Sequence, residues 1–235
     1  MQKSSNVVIG NGSESPAPLT NQDLRPEMFA SKGDTVFLGG IYVQDTVQAW
    51  LNVVGPSGKI IVVEANPDSV STLLSHFDGQ NNLTIVNKAL WNSQGELLFT
   101  RSRKKYQGWA RVAAEGIDEY PDHLDPDHEN IKVPADTIDH ILQEMGVDKI
   151  DLIFLTINDA QLYAVEGLED VISRNESLHI FINTRTPDPC WDTAKKLDTY
   201  TSLRVCVVPL VKKIKRDDVK KLSLIHAWND ASLIF

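Results

Sequence analysis

Cysteine is scarce in this chain: Cys190 and Cys206 are the two among 235 residues, far apart and without CxxC spacing. That excludes a disulfide framework and offers no zinc ligand set, and it fits a reducing cytoplasm. Long apolar runs are missing too, and the first residues lack the basic start and apolar core of a secretion signal. The chain therefore reads as soluble and untargeted, with no membrane partner. Cations are the minority charge, 23 Lys and Arg against 32 Asp and Glu, for a net charge of -9. Such a balance repels a phosphate backbone and makes nucleic acid a poor partner. Neither a G-x-S-x-G elbow nor a cysteine with a placed base is present, which excludes hydrolase triads. A full G-x-G-x-x-G is also lacking, which weakens a dinucleotide or nucleotide-sugar reading.

What is present is an alternation. Short apolar runs at Thr35 to Leu38, Lys59 to Glu64 and Leu83 to Asn87 are separated by helical patterns at Asp45 to Val54 and Pro67 to Phe77. Strands alternating with helices predict βαβ units and a parallel sheet. The run Ile60 to Val63 is β-branched without polar alternation, so it suits a central strand covered on both faces. Asn66 stands ready as an N-cap with Pro67 in the first turn. The pattern resumes with a helix from Asp136 to Met145, a strand at Leu152 to Ile157, a helix from Ala160 to Ile172, a strand at Leu178 to Asn183 and a helix from Trp191 to Tyr200. Two last runs, Leu203 to Val208 and Leu222 to Trp228, suit a closing antiparallel hairpin.

The expected fold is α/β: a doubly wound, mostly parallel sheet with helices on both faces. At this length it makes one domain, from about residue 21 to 235. Residues 1 to 20, rich in Ser, Asn, Gly and Pro, read as a flexible leader. An insert at about 101–130, flanked by strands Gly95 to Thr100 and Asn130 to Val133, is rich in charge, Pro and His and has no period.

In open α/β sheets ligands bind beyond the carboxyl ends of the strands. Three such ends carry chemistry. The first is the turn Gly39-Gly40, where no Cβ obstructs a ligand. The second is Glu64, 25 positions after Gly39, a carboxylate placed to accept both hydroxyls of a ribose. The third is Thr156 to Gln161, where Thr156, Asn158, Asp159 and Gln161 could grip a polar substrate or cap the next helix.

These stretches together resemble the FkbM family of S-adenosylmethionine-dependent methyltransferases. The similar pieces are Gly39-Gly40, Glu64-Ala65-Asn66-Pro67, Asn87-Lys88-Ala89-Leu90 and Asp151 to Gly167, spanning Asp34 to about Asn183. The resemblance implies a Rossmann-like class I methyltransferase fold and S-adenosylmethionine as cofactor, bound by Gly39, Gly40, Glu64, Asn66, Lys88 and Ala89. It places the reacting centre at Thr156, Asn158 and Asp159, with O-methylation of a small molecule or glycan as the implied reaction.

The departures fall on the site. The family carries an Asp at the end of its first strand and then G-A-N-x-G; Phe37 occupies the acidic position and Val43 that of the last glycine. The family's K-I-D-V-E-G-A-E becomes Phe154 to Gln161, and the next strand ends at Asn183 in place of Glu. Thr, Asn and Gln do not titrate near neutral pH, so the usual candidates for a general base are gone. Asp45 could substitute for the missing acid. A catalytically inactive methyltransferase-like binding or assembly module is the alternative reading. The basic residues Arg101, Arg103, Lys104 and Lys105, and a second group from Lys212 to Lys221, could hold a phosphorylated substrate. Trp109 could stack on a sugar or base. No metal site is expected: the acidic stretch Asp118 to Glu129 lacks the turn glycine of a calcium loop.

Overall fold

The computed structural model describes residues 8–9, 25–41, 43–102, 110–113, 128–184, 187–200, 203–215 and 218–229. Most strand expectations are met within a residue or two. β1 (Val8–Ile9), β2 (Thr35–Gly39), β3 (Lys59–Glu64), β4 (Leu83–Asn87), β9 (Leu152–Leu155), β10 (His179–Thr184), β11 (Leu203–Lys215) and β12 (Asp218–Asn229) form one sheet. Its order is β1-β11-β12-β10-β9-β2-β3-β4, in which β4, β3, β2, β9 and β10 run parallel and β12 is antiparallel to both its neighbours. The strand order reverses between β2 and β9, so a crevice is expected at their carboxyl ends. The closing hairpin β11–β12 is present and longer than the apolar runs alone indicated. Within the segment read as a leader, Val8 and Ile9 pair in parallel with Cys206 and Val207.

Side chains alternate across the central strands, and both faces are covered. Phe37, Ile61, Val63, Ile153 and Leu155 pack under α3 (Ile138–Glu144), α4 (Gln161–Glu166), α5 (Glu169–Arg174) and α6 (Pro187–Asp198). Val36, Leu38, Ile60, Val62, Leu152 and Phe154 face α1 (Gln44–Val54) and α2 (Pro67–His76). Helix α1 meets that face with Val47, Trp50, Leu51 and Val54, a stripe at helical spacing. Each such large side chain, fully buried, contributes roughly 1.5–3 kcal/mol. Phe29, after a 3₁₀ turn at Pro26–Met28, adds an edge contact to Phe181 at 4.5 Å.

Two helix expectations change. Asp136 is not the cap of α3: Thr137 is, its Oγ1 accepting from the His140 N–H at 3.0 Å, while Asp136 accepts from the Thr137 N–H. The single helix read over Ala160 to Ile172 is broken into α4 and α5. At Gly167 a Cβ would stand 2.8 Å from Thr137 Cβ, so the glycine lets α3 approach. The Asp139 carboxylate then accepts from the Asp170 and Val171 N–H groups and caps α5.

The described parts of the insert, 101–102, 110–113 and 128–130, belong to a second sheet. β5 (Ala89–Leu90), β6 (Gly95–Ser102), β7 (Arg111–Val112) and β8 (His128–Asp136) stand in the order β5-β8-β6-β7 around Ala89, Phe99, Val112, Val133 and Ala135. Only Lys88 separates β4 from β5, so this sheet rises at the carboxyl end of the main one. Arg103, Lys104, Lys105, Trp109 and 118–127 lie outside the described residues, as does Arg216.

Candidate active site

The tips of β3, β2 and β9 are neighbours. Gly39 is in register with Val63 on one side and Leu155 on the other. Beyond the strand ends the ladder continues: the Gly40 N–H donates to Val63 O at 2.9 Å and the Thr156 N–H to Gly39 O at 2.8 Å. Gly40 has φ of +77°, in the left-handed region. A Cβ there would meet Ile157 Cγ2 at 3.0 Å, and one at Gly39 would meet Leu155 Cδ2 and Leu90 Cδ1 at 2.7 Å. Both glycines thus serve close packing of the turn on β9 and β5, and the space beside Gly39 is taken by leucine side chains.

Glu64 ends β3 with 8% exposure. Its Oε1 accepts from the Asn66 N–H at 2.7 Å, and no cation pairs with it among the described residues. Burial pushes its carboxyl up to about 7, against the lowering effect of the Asn66 and Ala65 backbone donors. Asn87 Nδ2 donates to the carbonyls of Glu64 and Ala65 and fixes the turn from the β4 side. Asn66 is the expected N-cap of α2, its Oδ1 accepting from the Asp68 N–H at 3.1 Å.

The same Asn66 Oδ1 accepts from Arg101 Nη1 at 3.3 Å, and the guanidinium also pairs with Asp68 at 2.8 Å and Glu129 at 2.9 Å. Arg101, one of the basic residues that could have held a phosphorylated substrate, is an anchor of the second sheet onto the β3–α2 turn. Arg111 does the same at the tip of β9, with Nη1 3.1 Å from Asp159 Oδ2. Sequence reading missed this pairing of basic strand residues with acids at the strand tips, because the partners are 33 and 48 positions apart.

The residues placed at the reacting centre are all engaged in internal contacts. Thr156 Oγ1 donates to the carbonyls of Gly39 (3.3 Å) and Gly40 (3.1 Å). Asn158 Nδ2 donates to Ala110 O at 2.8 Å, and Asp159, at φ of +60°, pairs with Arg111. Gln161 Nε2 donates to Ile157 O at 2.7 Å. Phe37 lies wholly in the core, Val43 is exposed at the start of α1, and Asp45 is exposed in its first turn.

Lys88 and Ala89 lie in the second sheet's approach. The Lys88 amine is 2.6 Å from Asp136 and 2.9 Å from Glu144, and His140 Nδ1 is 2.9 Å from the same Asp136 oxygen. Ala89 is buried in the second sheet's own core. Asp136, His140 and Glu144 bring ligand-type atoms within 4.8 Å of one another, and the lysine ammonium supplies the cation two of them bond.

No protein family model matches the chain, and no curated protein sequence matches it. Solved structures do. A protein of Thermoplasma acidophilum assigned as a methyltransferase superposes with a TM-score of 0.51 at 12% identity, over 87% of this chain and 72% of that one. An S-adenosylmethionine-dependent O-methyltransferase from Thermotoga maritima gives 0.48 at 14% identity, over 87% and 62%. A precorrin-6y C5,15-methyltransferase from Geobacter metallireducens gives 0.49 at 16%, over 87% and 84%. The chain has the class I methyltransferase fold. At these identities the likeness concerns fold alone, and the FkbM resemblance rests on the motif residues. No helix among the described residues is long and apolar enough to cross a membrane.

Proposed function

We propose that the chain binds S-adenosylmethionine through its adenosine half at Glu64 and acts as a divergent, FkbM-like methyltransferase on a hydroxyl of a small molecule or glycan. The observation that carries this is the buried Glu64 carboxyl, without a cationic partner among the described residues, one position beyond the Val63 that bonds Gly40. Burying an ionised carboxylate without compensation is costly, and the two hydroxyls of a ribose are the donors that would offset it.

The Glu64 carboxyl supports the adenosine half of the cofactor; for the methionine half no such group is found among the described residues. Phe37 and Leu38 are core residues, Asp159 is paired with Arg111, and Asp45 is exposed on α1. When bound, S-adenosylmethionine supplies an electrophilic methyl group. The chain's own contribution is binding and orientation: Glu64 holds the ribose, while Asn66, Asn87 and Arg101 fix the turn that carries it. Thr156 and Asn158 do not titrate near neutral pH and offer no general base, so catalysis here would rest on proximity.

A second reading, a catalytically inactive binding or assembly module, is favoured by one observation: Thr156, Asn158 and Asp159 are each committed to internal bonds. Radiolabelled methyl transfer into a cell lysate separates the two. Incorporation that disappears in Glu64→Ala supports the methyltransferase; no incorporation, with S-adenosylhomocysteine still bound, supports the module.

A further inference from the structure

The β11–β12 hairpin runs past the sheet it closes. β10 pairs with β12 as far as Thr184, opposite Ser223, while β11 and β12 go on pairing through Leu210–Leu222, Val211–Lys221, Lys212–Lys220 and Lys213–Val219. The register fixes the direction of this extension. Gly39 stands beside Leu155, Leu155 beside Ile182 and Ile182 beside Ile225, one line across the sheet at the carboxyl ends of the parallel strands. Because β12 is antiparallel to β10, the residues preceding Ile225 continue beyond that line, on the same side as the β2, β3 and β9 tips. Lys221 is four residues beyond Ile225, about 14 Å, and β12 is two strands from β9, about 10 Å, so the ribbon stands at the rim of the candidate site.

The charge of this extension is opposite to that of the whole chain. Residues 210–222 hold six of the 23 basic residues and two of the 32 acidic ones. Pairing brings the lysine positions together: Lys212 and Lys220 are directly opposite on one face, and Lys213 and Lys221 are diagonal neighbours on the other. Like charges directly opposite destabilise a ribbon, and a bound anion removes that cost. The register shifts between Lys213 and Lys215, an irregularity of the kind that bends a strand. A long polyanion laid across the molecule meets the repulsion of a chain with net charge -9, whereas a single phosphate group meets the ribbon alone.

We infer that the β11–β12 ribbon is an acceptor subsite, in which Lys212, Lys213, Lys220 and Lys221 hold the phosphate of a phosphate-bearing glycan while a hydroxyl of the same molecule reaches the β9 tip. The inference rests on the methyltransferase reading above and narrows its acceptor. The separation, roughly 17 Å from the Leu155 backbone to that of Lys221, calls for an acceptor whose phosphate and reacting hydroxyl lie far apart, longer than a free monosaccharide phosphate.

Transfer of labelled methyl groups from S-adenosylmethionine into a deproteinised cell extract tests this, with half of the extract first treated with alkaline phosphatase and a phosphodiesterase. Label is expected in the fraction retained on an anion exchanger, and treatment is expected to lower it about tenfold or more. Replacing the four lysines by alanine, with a melting curve confirming a folded chain, should lower transfer about tenfold or more while S-adenosylhomocysteine affinity by calorimetry stays within about twofold. Replacing them by arginine, which keeps the charges, should recover the transfer that alanine loses. Equal incorporation with and without treatment, or undiminished transfer by the alanine variant, would overturn the inference and leave the methyltransferase reading standing. Label found in nuclease-sensitive RNA instead would assign the ribbon to nucleic acid and overturn it too. No incorporation from untreated extract would overturn both readings.

Discussion

Arg111 Nη1 lies 3.1 Å from Asp159 Oδ2, joining the short strand β7 of the second sheet to the tip of β9 in the main one. Asp159 sits at φ of +60°, a conformation that costs a non-glycine residue free energy and persists where its surroundings hold it. Arg111 has 8% exposure. Asp159→Asn should therefore destabilise the fold by about 1–3 kcal/mol in urea unfolding, below the full cost of breaking a buried pair because Asp159 is partly exposed and Arg111 has other contacts. A change below about 0.3 kcal/mol would show that the two sheets are held together elsewhere.

Glu64 gives a pH dependence of definite sign. Its carboxyl is near 7 in the folded chain against 4.5 in the unfolded one. Between those values the folded state holds the extra proton, so the group's destabilising effect grows as pH rises through that window and is complete above it. The full effect is about 3 kcal/mol. Denaturant unfolding of Glu64→Gln should show greater stability than the parent at pH 8 and little difference at pH 4.5. Nucleoside affinity should move oppositely, rising from pH 6 to pH 8 as the better acceptor, the carboxylate, forms. Parallel trends would separate Glu64 from ligand binding.

Lys88, His140 and the Thr137 N–H converge on Asp136, whose side chain is 3% exposed. Burial pushes the Asp136 carboxyl up, but the bonds from Lys88, His140 and Thr137 and the Lys88 charge outweigh it, and the group stays below its usual value of 3.8. Its contribution to stability is therefore present above that value and is lost as pH falls further. Asp136→Asn should cost about 2–4 kcal/mol at pH 7 in urea unfolding, with the difference shrinking in strong acid. Undiminished stability at pH 7 would show that Lys88 finds equal partners without Asp136.

On β10 and β12, His179 Nδ1 and His226 Nε2 are 3.1 Å apart, and the His226 ring stacks on Phe181 at 4.1 Å. Burial, and then the neighbouring His179, lowers His226 from 6.5 to about 4. The unfolded chain takes up the proton first as pH falls, so stability drops from pH 6.5 towards 4. His226→Phe, which keeps the stack, should raise the melting temperature at pH 5 relative to the parent and have a smaller effect at pH 8. An equal shift at both values would assign the change to packing.

The strands and both covered faces were legible because their signals are local: Ile60 to Val63 carries its β-branched run, and Val47, Trp50, Leu51 and Val54 their helical spacing. Asn66 as a cap was legible for the same reason. The break between α4 and α5 was not, because Gly167 answers to Thr137, 30 positions earlier, and the apolar spacing runs straight through it. The glycine turn was read as space for a ligand, while the leucines and Ile157 that occupy that space come from other strands. Arg101 and Arg111 were legible as charges but not as anchors, since an ion pair across two sheets leaves no periodic mark.

The most direct measurement is crystallographic: crystals soaked in S-adenosylhomocysteine, with the ribose located in difference density. Both ribose hydroxyl oxygens within about 3 Å of the Glu64 carboxylate is the predicted result. A ribose elsewhere, or a well-ordered tail bound by its ammonium with Glu64 left bare, would contradict it.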